Sequence, residues 1–239
     1  MKIILTGATG AAGSQILRDL ASDVGVESVK VLSRRPLPSW LTDALPKTDK
    51  ISNVVVEDFL NYPTDVRQTF AEHDACIWAL GTSSNGMSEE AYTKVTYDYV
   101  VSMVSALEGV KSRPKDKPFR FIFFSGEGAD PTEKSMMMFG RIKGRTERFL
   151  SELPPESGIK AHNLRPGFFY PKWKPAAQNT WTPSRRFISS VIGPVVSGSW
   201  RLAIPVTDLS KFAIEAAKGG HGDSSLYTNY DMRKLLSQK

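Results

Sequence analysis

The chain has 239 residues, 41% of them hydrophobic and 23% charged, with a net charge of +6. That length is ample for one buried core, and the composition excludes wholesale disorder and collagen-like repeats. A single cysteine, Cys76, excludes an internal disulfide framework and a cysteine-built zinc site, and no apolar run reaches the roughly 20 residues needed to cross a bilayer.

The first predicted strand, Ile3–Thr6, is too short for the apolar stretch of a signal peptide, so a reducing, cytoplasmic setting is expected. It runs into Thr6-Gly7-Ala8-Thr9-Gly10-Ala11-Ala12-Gly13, which opens a predicted helix over Ala11–Ser22. Gly7 permits a tight strand-to-helix turn, Gly10 lets a pyrophosphate approach the backbone, and Gly13 allows close helix–strand packing. The helix N-terminus adds unpaired N–H groups and a partial positive charge. The next strand, Ser28–Ser33, ends in Ser33-Arg34-Arg35. No carboxylate is there to hold a ribose 2′-hydroxyl; two guanidiniums and a hydroxyl suit a 2′-phosphate, so NADP(H) is the expected cofactor.

Strands are further predicted at Val54–Val56, Ala75–Leu80, Phe119–Phe124 and Ile159–Leu164, and helices at Thr64–Glu72, Glu89–Val110 and Met136–Leu153. Pro154-Pro155 stops the last of these. The basic run Lys111–Lys117 reads as a solvated loop; basic residues elsewhere are scattered, which favours small anions over nucleic acid. Beyond the loop Arg165-Pro166-Gly167, Tyr170–Thr182 reads as irregular, with helices at Ser184–Val196 and Thr207–Lys218 and a tail holding Tyr230 and Lys234. Strands alternating with helices predict a doubly wound parallel α/β sheet, the Rossmann arrangement. One domain over 1–239 is expected, with 165–239 supplying substrate-side and C-terminal elements.

These residues resemble the atypical short-chain dehydrogenase/reductases, in the branch similar to nucleoside-diphosphate-sugar epimerases. The resemblance runs from the glycine motif through Glu57-Asp58-Phe59, Leu80-Gly81-Thr82, Val95–Val100, Ser125–Asp130 and Lys143–Glu147 to Leu164-Arg165-Pro166-Gly167. It implies that Asp58 contacts adenine with Phe59 beside it. Leu80, Gly81 and Thr82 pass the cofactor, and Pro166 and Gly167 border the nicotinamide. The family's catalytic pair is Tyr-x-x-x-Lys, one helical turn apart. Lys143 matches the lysine, but the tyrosine position is Phe139. Ser125 and Gly126 compete for the partner serine's position, and Gly126 fits the usual offset better. Tyr170 is the leading candidate for a substitute proton donor, ahead of Tyr92, Tyr97 and Tyr230. Met136-Met137-Met138 reads as core or as one wall of an apolar pocket. His73, His162 and His221 show no metal spacing, and no metal site is expected.

The family implies an NADP(H)-dependent oxidoreductase acting on a small apolar or aromatic carbonyl or alcohol, as monomer or homodimer. Phe139 favours two alternatives: a non-catalytic NADP(H)-binding regulatory protein, or a redeployed isomerase or cyclase.

Overall fold

The computed structural model describes residues 1–109, 117–169 and 202–238. Seven strands, β1 (Lys2–Thr6), β2 (Ser28–Ser33), β3 (Ile51–Val55), β4 (Ala75–Trp78), β5 (Phe119–Phe124), β6 (Ile159–Arg165) and β7 (Leu226–Thr228), form one sheet in the order β3-β2-β1-β4-β5-β6-β7. Every pairing is parallel. Strands covered on both faces read as continuous apolar runs, and β4, Ala-Cys-Ile-Trp, is buried throughout.

The helices are α1 (Ala11–Ser22), α2 (Ser39–Thr42), α3 (Thr64–Phe70), α4 (Glu89–Thr93), α5 (Tyr99–Glu108), α6 (Met138–Ser151), α7 (Val206–Ala217) and α8 (Asn229–Ser237). Because side chains alternate along a strand, β1 feeds two cores. Ile3 and Leu5 pack with Ile16, Leu17 and Leu20 of α1 and Phe212 of α7. Ile4 packs on the other face with Trp78, Val100 and Met103. The strand order turns at β1: Thr6 pairs with Leu32 on one side and Trp78 on the other, and the chains leave those strand ends towards opposite faces. The crevice left there is the site.

The predicted architecture agrees with this sheet, while several boundaries differ for physical reasons. β3 starts at Ile51 rather than Val54, because Ser52 and Asn53 are polar residues on an exposed edge strand and carry no hydrophobic signal. β4 stops at Trp78, and the chain then skirts the glycine turn, with Leu80 N donating to Thr6 Oγ1 at 3.3 Å. Between α4 and α5, Lys94–Asp98 forms a wider π-helical turn, and the Thr146 hydroxyl of α6 reaches Thr96 O at 3.2 Å. The region read as a tail is β7 and α8, the latter opened by a capping box between Thr228 and Asp231. Loop residues 111–116, the irregular Tyr170–Thr182 segment and the helix expected at Ser184–Val196 lie outside the described residues.

Candidate cofactor cleft and active site

Gly7 sits at φ +69°, the left-handed region, and a Cβ there would overlap the backbone of Ala79. A Cβ on Gly13 would overlap the carbonyl of Gly7. These two glycines therefore press β1, α1 and the chain after β4 together. Gly10 differs: a Cβ would meet only Gly7 O, at 3.2 Å, leaving that side open to the crevice. As the N-cap of α1, Gly10 has no side chain to satisfy the first-turn amides, and no acidic residue stands in that turn. The Gly10 N–H closes the turn by donating to Gly7 O at 2.9 Å, and the orphan N–H groups and dipole at Ala11 and Ala12 line the crevice, which suits a pyrophosphate.

At one end the cleft widens to about 650 Å³ between the glycine turn, with Ala8 and Thr9, and the Ser33-Arg34-Arg35 turn. Ser33 Oγ donates to Arg35 O at 2.6 Å and accepts from Asn53 Nδ2 at 2.8 Å, so the hydroxyl shapes this turn and its one hydrogen is committed within it. Arg34 and Arg35 have no ion pair among the described residues, and Arg34 lines both ends of the cleft. The turn after β3 is placed differently from the expected adenine contact. Phe59 is fully buried against Tyr62, Trp78 and Tyr99, and Asp58 accepts from Leu60 N at 3.1 Å and lies 4.0 Å from Lys94 Nζ. Neither lines the cleft wall; Glu57 does.

The other end, about 660 Å³, is walled by Leu80, Gly81, Thr82, Ser125, Lys143 and Pro166, with Phe139 at its edge. Lys143 Nζ is buried, donates to Phe124 O at 2.6 Å and stands 4.5 Å from the Phe123 ring centroid. It is not part of a solvated charge ladder with Glu147, whose carboxylate is buried and held by Arg165 through Nε (2.8 Å) and Nη2 (2.5 Å). Ser125 is buried, with no partner for its Oγ among the described residues.

Phe139 and Gly126 are a matched pair. A Cβ built on Gly126 lies 2.8 Å from Phe139 Cζ and 3.7 Å from both Cε atoms, so the ring meets the glycine end-on. Where the family resemblance implies a serine hydroxyl facing a phenol, the end of a phenyl ring takes the space that a side chain at position 126 would need. Gly167 lies one step further along, in a recess beside Phe139, and its N–H donates to Asn229 Oδ1 at 2.7 Å. Tyr170 lies outside the described residues. Tyr92 is fully buried, and Tyr97 packs edge-on against Phe149, away from the cleft. Tyr230 is on α8 and half-exposed. Met136 and Met137 are 97% and 69% exposed, which corrects the expectation that they form core or pocket wall.

The sequence reading missed Asn229. Fully buried at the start of α8, it ties three loops together: Oδ1 accepts from Gly167 N, Nδ2 donates to Ala203 O at 3.0 Å, and its own N–H donates to Glu127 Oε1 at 3.1 Å. The capping-box spacing of Thr228 and Asp231 was the available signal.

Burial pushes the Lys143 ammonium down to about 8 from 10.5, against the opposing pull of Glu147. Between those values the unfolded chain binds the extra proton, so this residue contributes a gain in stability as pH rises from about 8 to about 10. Lys143→Met is therefore expected to be most favourable relative to the parent protein below pH 8, with the difference shrinking above it. Urea midpoints of both proteins across that range measure this, and parallel profiles would contradict it.

No protein-family model matches the chain. The protein called "Protein FMP52, mitochondrial" in Debaryomyces hansenii is 26% identical over 171 residues, covering 70% of this chain and 66% of that protein. The chain thus spans just under two thirds of that relative's length. Four such relatives, from different fungi, all bear the mitochondrial name, which overturns the cytoplasmic expectation drawn from cysteine content and the short first strand. Among solved structures, a UDP-glucuronic acid 4-epimerase from Bacillus cereus in complex with NAD superposes with a TM-score of 0.69 at 16% identity, covering 100% of this chain and 82% of the other. A short-chain dehydrogenase/reductase family oxidoreductase from Burkholderia thailandensis gives 0.67 at 14% identity, covering 99% and 95%. The chain has the Rossmann fold shared by these reductases and nucleotide-sugar epimerases. No described helix is long and apolar enough to cross a membrane.

Proposed function

We propose that the chain is an atypical short-chain dehydrogenase/reductase that binds NADP(H) across the β1–β4 crevice and acts on a small apolar or aromatic carbonyl or alcohol. The observation that carries this reading is the Ser33-Arg34-Arg35 turn, whose two guanidiniums lack ionic partners among the described residues and rim the end of the cleft opposite Lys143. The residues present fit the dinucleotide. Ala11 and Ala12 offer uncapped amides for the pyrophosphate, which the bare Gly10 lets approach, within a turn closed by Gly7 and Gly13 and flanked by Thr9. Arg34 and Arg35 would hold a 2′-phosphate, on a turn that Ser33 shapes and from which its hydroxyl could reach the phosphate by giving up Arg35 O. Leu80, Gly81, Thr82, Pro166 and Gly167 would border the nicotinamide, with Lys143 at its ribose. In the bound state the cofactor supplies hydride.

The Phe139–Gly126 pair favours a second reading, a protein that holds NADP(H) without turnover. Titrating the protein with NADPH and NADH while following its fluorescence tests the shared part of both. NADPH is expected to bind at least tenfold tighter, since a charge-assisted hydrogen bond contributes about 1.5–3 kcal/mol. Equal affinities would overturn the 2′-phosphate assignment. NADPH consumption on adding carbonyl acceptors then separates enzyme from binder.

A further inference from the structure

Asn229 opens α8 fully buried, and bonds from it reach three irregular stretches of chain: Gly167 beyond β6, Ala203 ahead of α7 and Glu127 beyond β5. Irregular backbone has no ladder to pair with, so a buried N–H and a buried carbonyl on separate loops need a bridging group. A planar side-chain amide carries one acceptor and one donor in fixed relation. Oδ1 faces the Gly167 N–H and Nδ2 faces the Ala203 carbonyl, the orientation that satisfies both. An apolar side chain of similar volume offers neither bond.

The stretch Pro166–Phe168 has two sides. On one, Pro166 walls the end of the cleft that holds Lys143 and Ser125, and Gly167 and Phe168 wall the recess beside Phe139. On the other, Pro166 O accepts from Glu127 N at 3.2 Å, Gly167 N donates to Asn229, and Phe168 N donates to Leu202 O at 2.7 Å. The fit behind Gly167 is close, since a Cβ there would lie 2.4 Å from Leu202 O and 3.2 Å from Asn229 Oδ1. Arg165, just before the stretch, is held separately by Glu147. Asn229 thus supports from behind the part of the loop whose front faces the cleft.

We propose that Asn229 is a positioning residue for the nicotinamide end of the cleft, acting through Gly167 to hold the Pro166–Gly167 wall in place. The proposal rests on the NADP(H) reading of the cleft. Glu127 acts through Asn229: its carboxylate accepts the backbone N–H at the first turn of α8, where the helix dipole favours negative charge. Once the wall is released, the apparent affinity for a ligand that needs it falls in proportion to the fraction of molecules with the wall in place. The bonds of Asn229 named above do not involve the Ser33-Arg34-Arg35 turn, so the two ends of the cleft are separable by experiment.

The test titrates the full chain by calorimetry with NADP⁺ and with adenosine 2′,5′-bisphosphate, which carries the adenine and the 2′-phosphate but no nicotinamide. Asn229→Leu is expected to weaken NADP⁺ binding roughly tenfold and Glu127→Ala roughly threefold, with affinity for the bisphosphate within about twofold of the parent protein's. Equal losses for both ligands in either variant, or unchanged NADP⁺ affinity in a folded Asn229→Leu protein, would overturn the positioning role. Glu127 is exposed, so its variant is expected to fold and decides the matter if Asn229→Leu does not: unchanged NADP⁺ affinity there would overturn the role as well. A parent protein that binds NADP⁺ but not the bisphosphate would overturn the separation of the two ends on which the assignment stands. One that binds neither would overturn the cofactor reading itself.

Discussion

Arg34→Ala is expected to weaken NADPH binding about tenfold, and Arg34→Ala with Arg35→Ala about a hundredfold, with NADH affinity nearly unchanged. Each guanidinium would give the 2′-phosphate a charge-assisted hydrogen bond of about 1.5–3 kcal/mol, and 1.4 kcal/mol is a factor of ten. The lower end of that range applies because both side chains are exposed and solvent screens them. The effect should shrink as ionic strength rises. Parallel titrations of parent and variants with both coenzymes measure it. A variant that lost NADH affinity equally would point to a damaged fold rather than a missing phosphate contact.

Gly13→Ala is expected to destabilise the fold strongly. The added methyl would overlap the Gly7 carbonyl and sit 3.0 Å from the Ala8 Cα, with backbone on both sides and no flexible side chain to yield. Separating α1 from β1 disturbs both the core and the phosphate turn. A loss of about 4 kcal/mol or more is expected, at the upper end for single substitutions, together with loss of NADPH binding. For a chain of this size that corresponds to a drop in Tm on the order of 10 °C. Gly86→Ala is the contrast: it has φ +75° but nothing within 4 Å of a new Cβ, so only backbone strain of about 1 kcal/mol applies. Thermal melts of the two variants should separate widely. Similar melts would mean that close packing at Gly13 is not what holds α1.

The same contrast shows what was legible in the amino-acid order. Gly7, Gly10 and Gly13 could be read because a strand, a turn and a helix N-terminus impose fixed demands on successive positions. β1, β4 and most of β5 could be read because strands buried on both faces are apolar runs, and the starts of β2 and β6 because buried Val29 and Val31, and Ile159 and Ala161, alternate with lysine. The edge strand β3 could not be read from its start, since Ser52 and Asn53 face solvent and carry no pattern. β7 is three residues long, and α8 follows it directly, so neither offers enough periodicity to register. Lys143 was found by its spacing from position 139, but its burial and its bond to Phe124 O depend on packing between α6 and β5. The end-on fit of Phe139 to Gly126 was likewise out of reach, because it joins residues 13 positions apart through space. Asp58 and Phe59 were expected beside adenine by resemblance; the burial of Phe59 and the place of Glu57 in the cleft wall depend on packing that the sequence does not display. Location failed for a different reason: cysteine content reports redox chemistry and does not distinguish compartments that are both reducing.

The most direct measurement is a crystal structure grown with saturating NADP⁺. The expected result is the pyrophosphate beside Gly10 on the amides of Ala11 and Ala12, the 2′-phosphate between Arg34 and Arg35, and the nicotinamide between Lys143 and Pro166. A coenzyme bound elsewhere, or a crevice at the β1–β4 strand ends that stays free of it at saturation, would contradict the account.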